Sequence, residues 1–147
     1  MTRNWTATGR TTLLVIADSG PLLASVDVAD PDHAACVKAL SGSGADIVIP
    51  ALCVAEVAYF LGKRHGAQVE AHFLEGLANF PVIAPDPDDW VHIGGLVRQY
   101  ADLPLGTVDA SVAVLAMRLD TNRIITLDHR HFSVLRNPQG KRFELSP

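Results

Sequence analysis

The stretch Leu13-Leu14-Val15-Ile16-Ala17-Asp18-Ser19-Gly20-Pro21 decides how the rest of the chain is read. Its apolar run without polar alternation predicts a strand covered on both faces, as in the parallel sheets of α/β proteins. Gly20 and Pro21 stop the strand and suit a tight turn into a helix, whose first turn tolerates proline. Asp18 is thereby delivered to the carboxyl end of a central strand, where open α/β sheets keep their ligands. A single aspartate before a helix is more commonly a cap. Its meaning therefore depends on what the later chain brings beside it.

Upstream, residues 1–12 carry Arg3 and Arg10 and lack the small-residue cleavage pattern of a signal peptide. They read as a polar leader, either disordered or an upstream extension, and residues 13–147 read as a single domain. A chain of 147 residues can bury a real core, and 48% hydrophobic with 19% charged residues excludes the disordered and fibrous classes. No apolar run approaches the roughly 20 residues that cross a bilayer, so no membrane role is expected. Cys36 and Cys53 lie inside apolar helical patterns and resemble buried hydrophobes rather than a disulfide or metal framework, which fits a reducing cytoplasm.

Downstream, short apolar runs alternate with longer helical patterns. Leu22 to Val26 makes a helical turn, and Pro31 or Asp32 opens a helix through Leu40 that stops at Ser41 to Gly44. Ile47 to Ile49 is a strand ended by Pro50. Leu52 to Leu61 is apolar almost all round, predicting a deeply packed helix broken at Gly62 to Gly66. Val69 to Ala78 resumes as a helix, Phe80 to Ala84 is a third strand, and a helix from about Asp88 carries Trp90, Ile93, Leu96, Val97 and Tyr100 at helical spacing. Trp90 and Tyr100 are expected in core or interface rather than under nucleic-acid bases. A helix from Thr107 to Leu119 precedes a fourth strand, Arg123 to Asp128, and Phe132 to Leu135 or Phe143 to Leu145 offers one more. This alternation implies a three-layer α/β/α fold with a mostly parallel sheet of four to five short strands.

Four acids fall where such a topology exposes one rim. Asp18 and Asp128 follow strands, Asp109 lies in the first turn of a helix, and Glu56 is the one charge of Leu52 to Leu61. A lone carboxylate there is costly to bury and should face a polar cleft, a metal or a cation such as Arg118. Several carboxylates in one pocket raise each other's pKa, and a divalent cation resolves that conflict. Oxygen ligands favour Mg²⁺ or Mn²⁺ over zinc, and magnesium held by carboxylates suits phosphoryl chemistry. Singly, Asp109 also reads as a helix-start acid and Asp128 as a turn residue. The six histidines show no metal spacing; His131, near Asp128, is the one to test.

The segments Val15-Ile16-Ala17-Asp18-Ser19, Pro50 to Val57, Leu103 to Ser111 and Ile125 to Phe132 resemble, in order, the four signature segments of PIN-domain ribonucleases, especially the VapC-type toxins of bacterial toxin–antitoxin pairs. The resemblance implies that Asp18, Glu56, Asp109 and Asp128 form a metal-binding catalytic quartet, with the hydroxyls of Ser19 and Thr126 beside it. Gly106 stands where many relatives have another acid, leaving Asp102 as an outer candidate. It also implies Mg²⁺-dependent endonucleolytic cleavage of RNA, a homodimer whose sites share a groove, and a small antitoxin covering that groove. Although the net charge is −4, residues 118–147 carry six basic and three acidic side chains, and Arg130, Arg136, Lys141 and Arg142 are the candidates to line an RNA channel.

Two other readings stay open. A haloacid-dehalogenase-like phosphohydrolase also ends its first strand on aspartate, but wants a second acid where Gly20 stands. A degenerate PIN-like module that binds RNA or a partner without catalysis would not require all four acids.

Overall fold

The computed structural model describes residues 13–42 and 44–147, so the leader expected at residues 1–12 lies outside the described residues. Five strands, β1 (Leu14–Ala17), β2 (Asp46–Pro50), β3 (Val82–Ile83), β4 (Arg123–Ile125) and β5 (Glu144–Ser146), form one sheet in the order β3-β2-β1-β4-β5. Every pairing is parallel, with Val15 opposite Ile47 and Ile16 opposite Ile124.

Seven helices connect them: α1 (Ser19–Val26), α2 (His33–Ser41), α3 (Ala51–His65), α4 (Ala67–Gly76), α5 (Pro87–Gln99), α6 (Thr107–Arg118) and α7 (His129–Phe132). The chain winds outward from β1 through β2 to β3, then returns to β4 on the other side of β1. Right-handed crossovers travelling in opposite directions place their helices on opposite faces, which gives three layers. They also leave a crevice beyond the carboxyl ends of β1 and β4, the point where winding reverses.

The core joins Val15, Ile16, Ile47, Val48, Ile49, Ile124 and Ile125 to inward residues of the helices. Helix α6 is the most enclosed, because Ala110, Ala113 and Ala116 let it lie close to the sheet, and residues 110 to 116 are all buried. The expectation that Leu52 to Leu61 would be packed all round is corrected. Cys53, Val57, Ala58 and Leu61 face inward, whereas Tyr59 is 60% exposed. Nor does Gly62 break α3, since one interior glycine costs only about 1 kcal/mol; the helix runs to His65 and ends at Gly66, whose φ of 87° favours glycine.

Other boundaries shift for identifiable reasons. Helix α5 starts at Pro87 behind an Asp86/Asp89 capping box. Asp89 is turned inward to Arg118, so its neighbour Trp90 points out and is half exposed instead of spaced into the core. Strand β4 ends at Ile125; beyond it the Thr126 hydroxyl donates across to Asp18, and Asp128 caps α7. Phe132 lies in α7, not a strand, and is fully buried. Cys36 and Cys53 are free and buried, as the apolar patterns predict. Among the described residues, no helix is long and apolar enough to cross a membrane.

Candidate metal centre and active site

Asp18 follows β1 and caps α1. Its backbone N–H continues the sheet to Ile125 O at 2.9 Å, which fixes the residue against β4. One carboxylate oxygen, Oδ1, accepts from Ser19 N at 2.8 Å, and Oδ2 accepts from Thr126 Oγ1 at 2.8 Å. Thr126 is fully buried, and its Oγ1 in turn accepts from Asp128 N at 3.0 Å. One hydroxyl thus ties the acid after β1 to the acid after β4. Both readings of Asp18 hold together: it is a helix cap, and it stands at the crevice.

Asp128 caps α7 by accepting from His131 N at 3.0 Å. That turn brings the imidazole back, with His131 Nδ1 2.5 Å from Asp128 Oδ2 and 3.4 Å from Asp109 Oδ2. Asp109, in the first turn of α6, reaches the same place from the other side. One ligand atom each from Asp109, Asp128 and His131 lie within 4.8 Å of one another. Sequence spacing assigns His131 no metal role, because the turn that aims it exists only once Asp128 caps α7.

Asp18 and Glu56 lie outside that group of three, yet the electrostatics link them to it. Burial pushes the Asp18 carboxyl from 3.8 up to about 6; the Thr126 and Ser19 hydrogen bonds oppose the rise, and the charges of Asp109 and Glu56 add to it. Asp109 is likewise raised, first by burial, then by Asp128, with His131 opposing and Glu56 adding. Cys53, one turn before Glu56 on α3, has its thiol raised by burial and then by the charge of Asp18, with Glu56 and Asp109 contributing. Asp109 is thereby coupled to each of the other three acids.

Such a site carries more negative charge than its own residues neutralise, and a cation relieves it. Among the described residues Glu56 has no salt bridge. Its proposed partner Arg118 is instead paired with Asp86 at 2.6 Å and with Asp89, and it donates to Ala84 O at 3.3 Å. The donors present, carboxylate oxygens with one imidazole, fit a hard or borderline divalent cation.

The sequence profile of the PIN domain matches residues 15–137, most of the chain and every acid of this site. The chain belongs to the PIN-domain family. Within it, this PIN domain is 36% identical over 135 residues, 90% of its own chain and 100% of the relative, to the ribonuclease VapC26 of Mycobacterium tuberculosis. Solved structures share its fold. VapC20 of Mycobacterium tuberculosis, described as a sarcin-ricin-loop-cleaving toxin, superposes with a TM-score of 0.71 at 12% identity over 75% of this chain and 86% of that one. DNA-bound VapBC of Salmonella typhimurium gives 0.67 at 20% identity over 91% and 98%.

The remaining candidates of this PIN domain separate clearly. Ser19 is buried against the site, while Asp102 is exposed in the turn before α6 and outside the converging donors. Arg130, Lys141 and Arg142 are exposed and, among the described residues, form no salt bridge. Arg136 is turned back on the chain, its Nη1 donating to Ser133 O at 2.8 Å and Leu135 O at 2.9 Å.

Proposed function

We propose that this protein is a Mg²⁺-dependent endoribonuclease, the toxin of a toxin–antitoxin pair, acting in the cytoplasm and held inactive by a small antitoxin. The observation that carries this reading is the convergence of Asp109, Asp128 and His131 beside Asp18, whose carboxyl is raised chiefly by burial, with the charges of Asp109 and Glu56 adding. The ribonuclease name of VapC26 and the toxin–antitoxin complexes among the structural relatives support it.

Asp18, Glu56, Asp109 and Asp128 are the proposed holders of the ion, Mn²⁺ being able to replace Mg²⁺. When bound, the ion supplies charge neutralisation at the phosphate, orientation of the attacking water and stabilisation of the leaving oxygen. The protein's own contribution is positioning. Thr126 holds Asp18 and the Asp128 backbone in one frame, and α6 fixes Asp109 by burying the residues that follow it. Glu56, half-buried on α3 and close enough to add its charge to Asp18 and Asp109, is suited to orient that water. His131 spans Asp109 and Asp128, limiting their repulsion before the ion arrives. Exposed Arg130, Lys141 and Arg142 of two subunits in a homodimer would line a shared groove.

The test is cleavage of a structured RNA by purified protein with Mg²⁺, against EDTA and against Asp109→Asn from a parallel preparation. Loss of cleavage in both controls is expected; equal cleavage by Asp109→Asn overturns the nuclease reading. Expression of the chain with and without any small neighbouring gene tests the toxin role. A chain that neither slows growth nor recruits that partner overturns this role.

A further inference from the structure

Helix α3 has two unlike sides. Cys53, Val57, Ala58 and Leu61 pack inward, and the opposite side carries Glu56, Tyr59, Phe60 and Lys63 at i, i+3, i+4 and i+7. Tyr59 is 60% exposed, and its ring meets Phe60 edge-on, with centroids 5.4 Å apart and planes at 69°. Lys63 Nζ lies 5.7 Å from the Tyr59 ring centroid, and the Arg64 guanidinium carbon lies 5.1 Å from that of Phe60. Among the described residues neither cation has a salt bridge, so both charges stay available to a ligand. At 1.5 Å per residue, Lys63 stands about 10 Å along the axis from Glu56. The strip therefore begins at the acidic centre and leads away from it.

We propose that this strip is the track along which a single-stranded segment of RNA approaches the acidic centre, with a base on Tyr59 and phosphates at Lys63 and Arg64. The inference rests on the nuclease reading and names where its substrate lies. An acidic rim in a chain of net charge −4 repels phosphodiesters, so cations beside it are needed to hold the backbone close. Aromatic faces flanked by cations stack bases of any identity, provided the bases are unpaired. A duplex offers no free base face, so the strip favours loops and single strands. A second copy of the chain suits it less, because a two-fold contact sets a net-positive strip against itself.

The measurement is fluorescence anisotropy of the full chain, in EDTA, with a labelled single-stranded oligouridylate carrying one 2-aminopurine, and with a duplex of equal length. Cleavage kinetics with Mg²⁺ accompany it. Tyr59→Ala is expected to weaken single-strand binding about tenfold, the scale of one lost base–aromatic stack. It should also abolish the quenching of 2-aminopurine, leave duplex binding unchanged and raise KM more than it lowers kcat. Tyr59→Trp restores binding and quenching. The double variant Lys63→Gln/Arg64→Gln makes binding less salt-dependent, by about 1.4 in the logarithmic slope for two lost single-strand phosphate contacts.

Unchanged binding by Tyr59→Ala, with the wild type still cleaving RNA, overturns the strip and leaves the nuclease reading standing. If Tyr59→Ala instead converts a dimer to a monomer in light scattering without changing RNA binding, the strip is a self-association surface and the inference is wrong. A wild type that neither binds nor cleaves RNA removes the nuclease reading, and the inference with it.

Discussion

Asp18→Asn should make the metal-free protein more stable while destroying its proposed activity. Asp18 is 4% exposed and its carboxyl is raised from 3.8 to about 6, chiefly by burial. A carboxyl whose folded pKa exceeds its unfolded value binds more protons in the native state between those two values. Stability therefore falls as pH rises through that window, and the cost of ionised Asp18 is fully present above about pH 6. At 1.36 kcal/mol per tenfold step, the rise of about two steps corresponds to about 3 kcal/mol. Asparagine removes that cost but keeps only part of the hydrogen bonding. Its oxygen still accepts from Ser19 N, while its amide cannot accept from Thr126 Oγ1 as Oδ2 does. That loss takes back about 1 kcal/mol. The net expectation is a gain of about 1–2 kcal/mol for Asp18→Asn at pH 7.5 in EDTA, vanishing or reversing below pH 4. Urea unfolding at the two pH values measures it. Adding Mg²⁺ should then stabilise the wild type more than the variant, since an ion that binds only the native state adds to its stability. A variant destabilised equally at both pH values would refute the claim that Asp18 is held ionised at a cost.

Three further outcomes follow from the same geometry. Thr126→Val removes the hydroxyl between Asp18 and the Asp128 backbone in a fully buried position; it should cost about 1–3 kcal/mol in chemical unfolding and reduce kcat, and an unchanged kcat would deny Thr126 its positioning role. His131→Ala should tighten apparent Mg²⁺ binding in titration calorimetry, because the ring occupies the Asp109 and Asp128 oxygens that the ion would take; weaker binding would make the ring a ligand instead. Arg118→Ala leaves the buried Asp89 carboxylate unpaired and should lower stability by about 3 kcal/mol in thermal or urea unfolding, with cleavage per folded molecule retained; a loss under about 0.5 kcal/mol, the scale of an exposed pair, would contradict the staple between α5 and α6.

Much of this fold is local in origin. The run Leu14 to Ala17 has no polar residue to turn toward water, so it had to be covered on both faces. Pro50 and Gly66 bound α3, and the Asp86/Asp89 box opens α5, through backbone chemistry readable within a few residues. Periodicity fails where a side chain has a distant polar partner. Asp89 turns inward because Arg118, 29 residues later, meets it there, and Trp90 is rotated outward as a result. The stretch around Phe60 looks like core in sequence because apolarity does not say which side of a helix is roofed.

The sequence by itself determined that acids would stand at the carboxyl ends of buried strands, since hydrophobic runs ending on Asp18 and Asp128 leave those carboxylates nowhere else to go. It also determined that Glu56 would be the one charge of the apolar stretch Leu52 to Leu61. Only the tertiary structure decided which groups share the crevice: Thr126 joins Asp18 to Asp128 across two strands, His131 swings between Asp128 and Asp109, and Arg118 is spent on Asp86 and Asp89 rather than on Glu56. The physical reason is that a hydrogen bond or ion pair depends on distances of a few ångströms, and sheet order and helix packing set those distances between residues as far apart as 18 and 126.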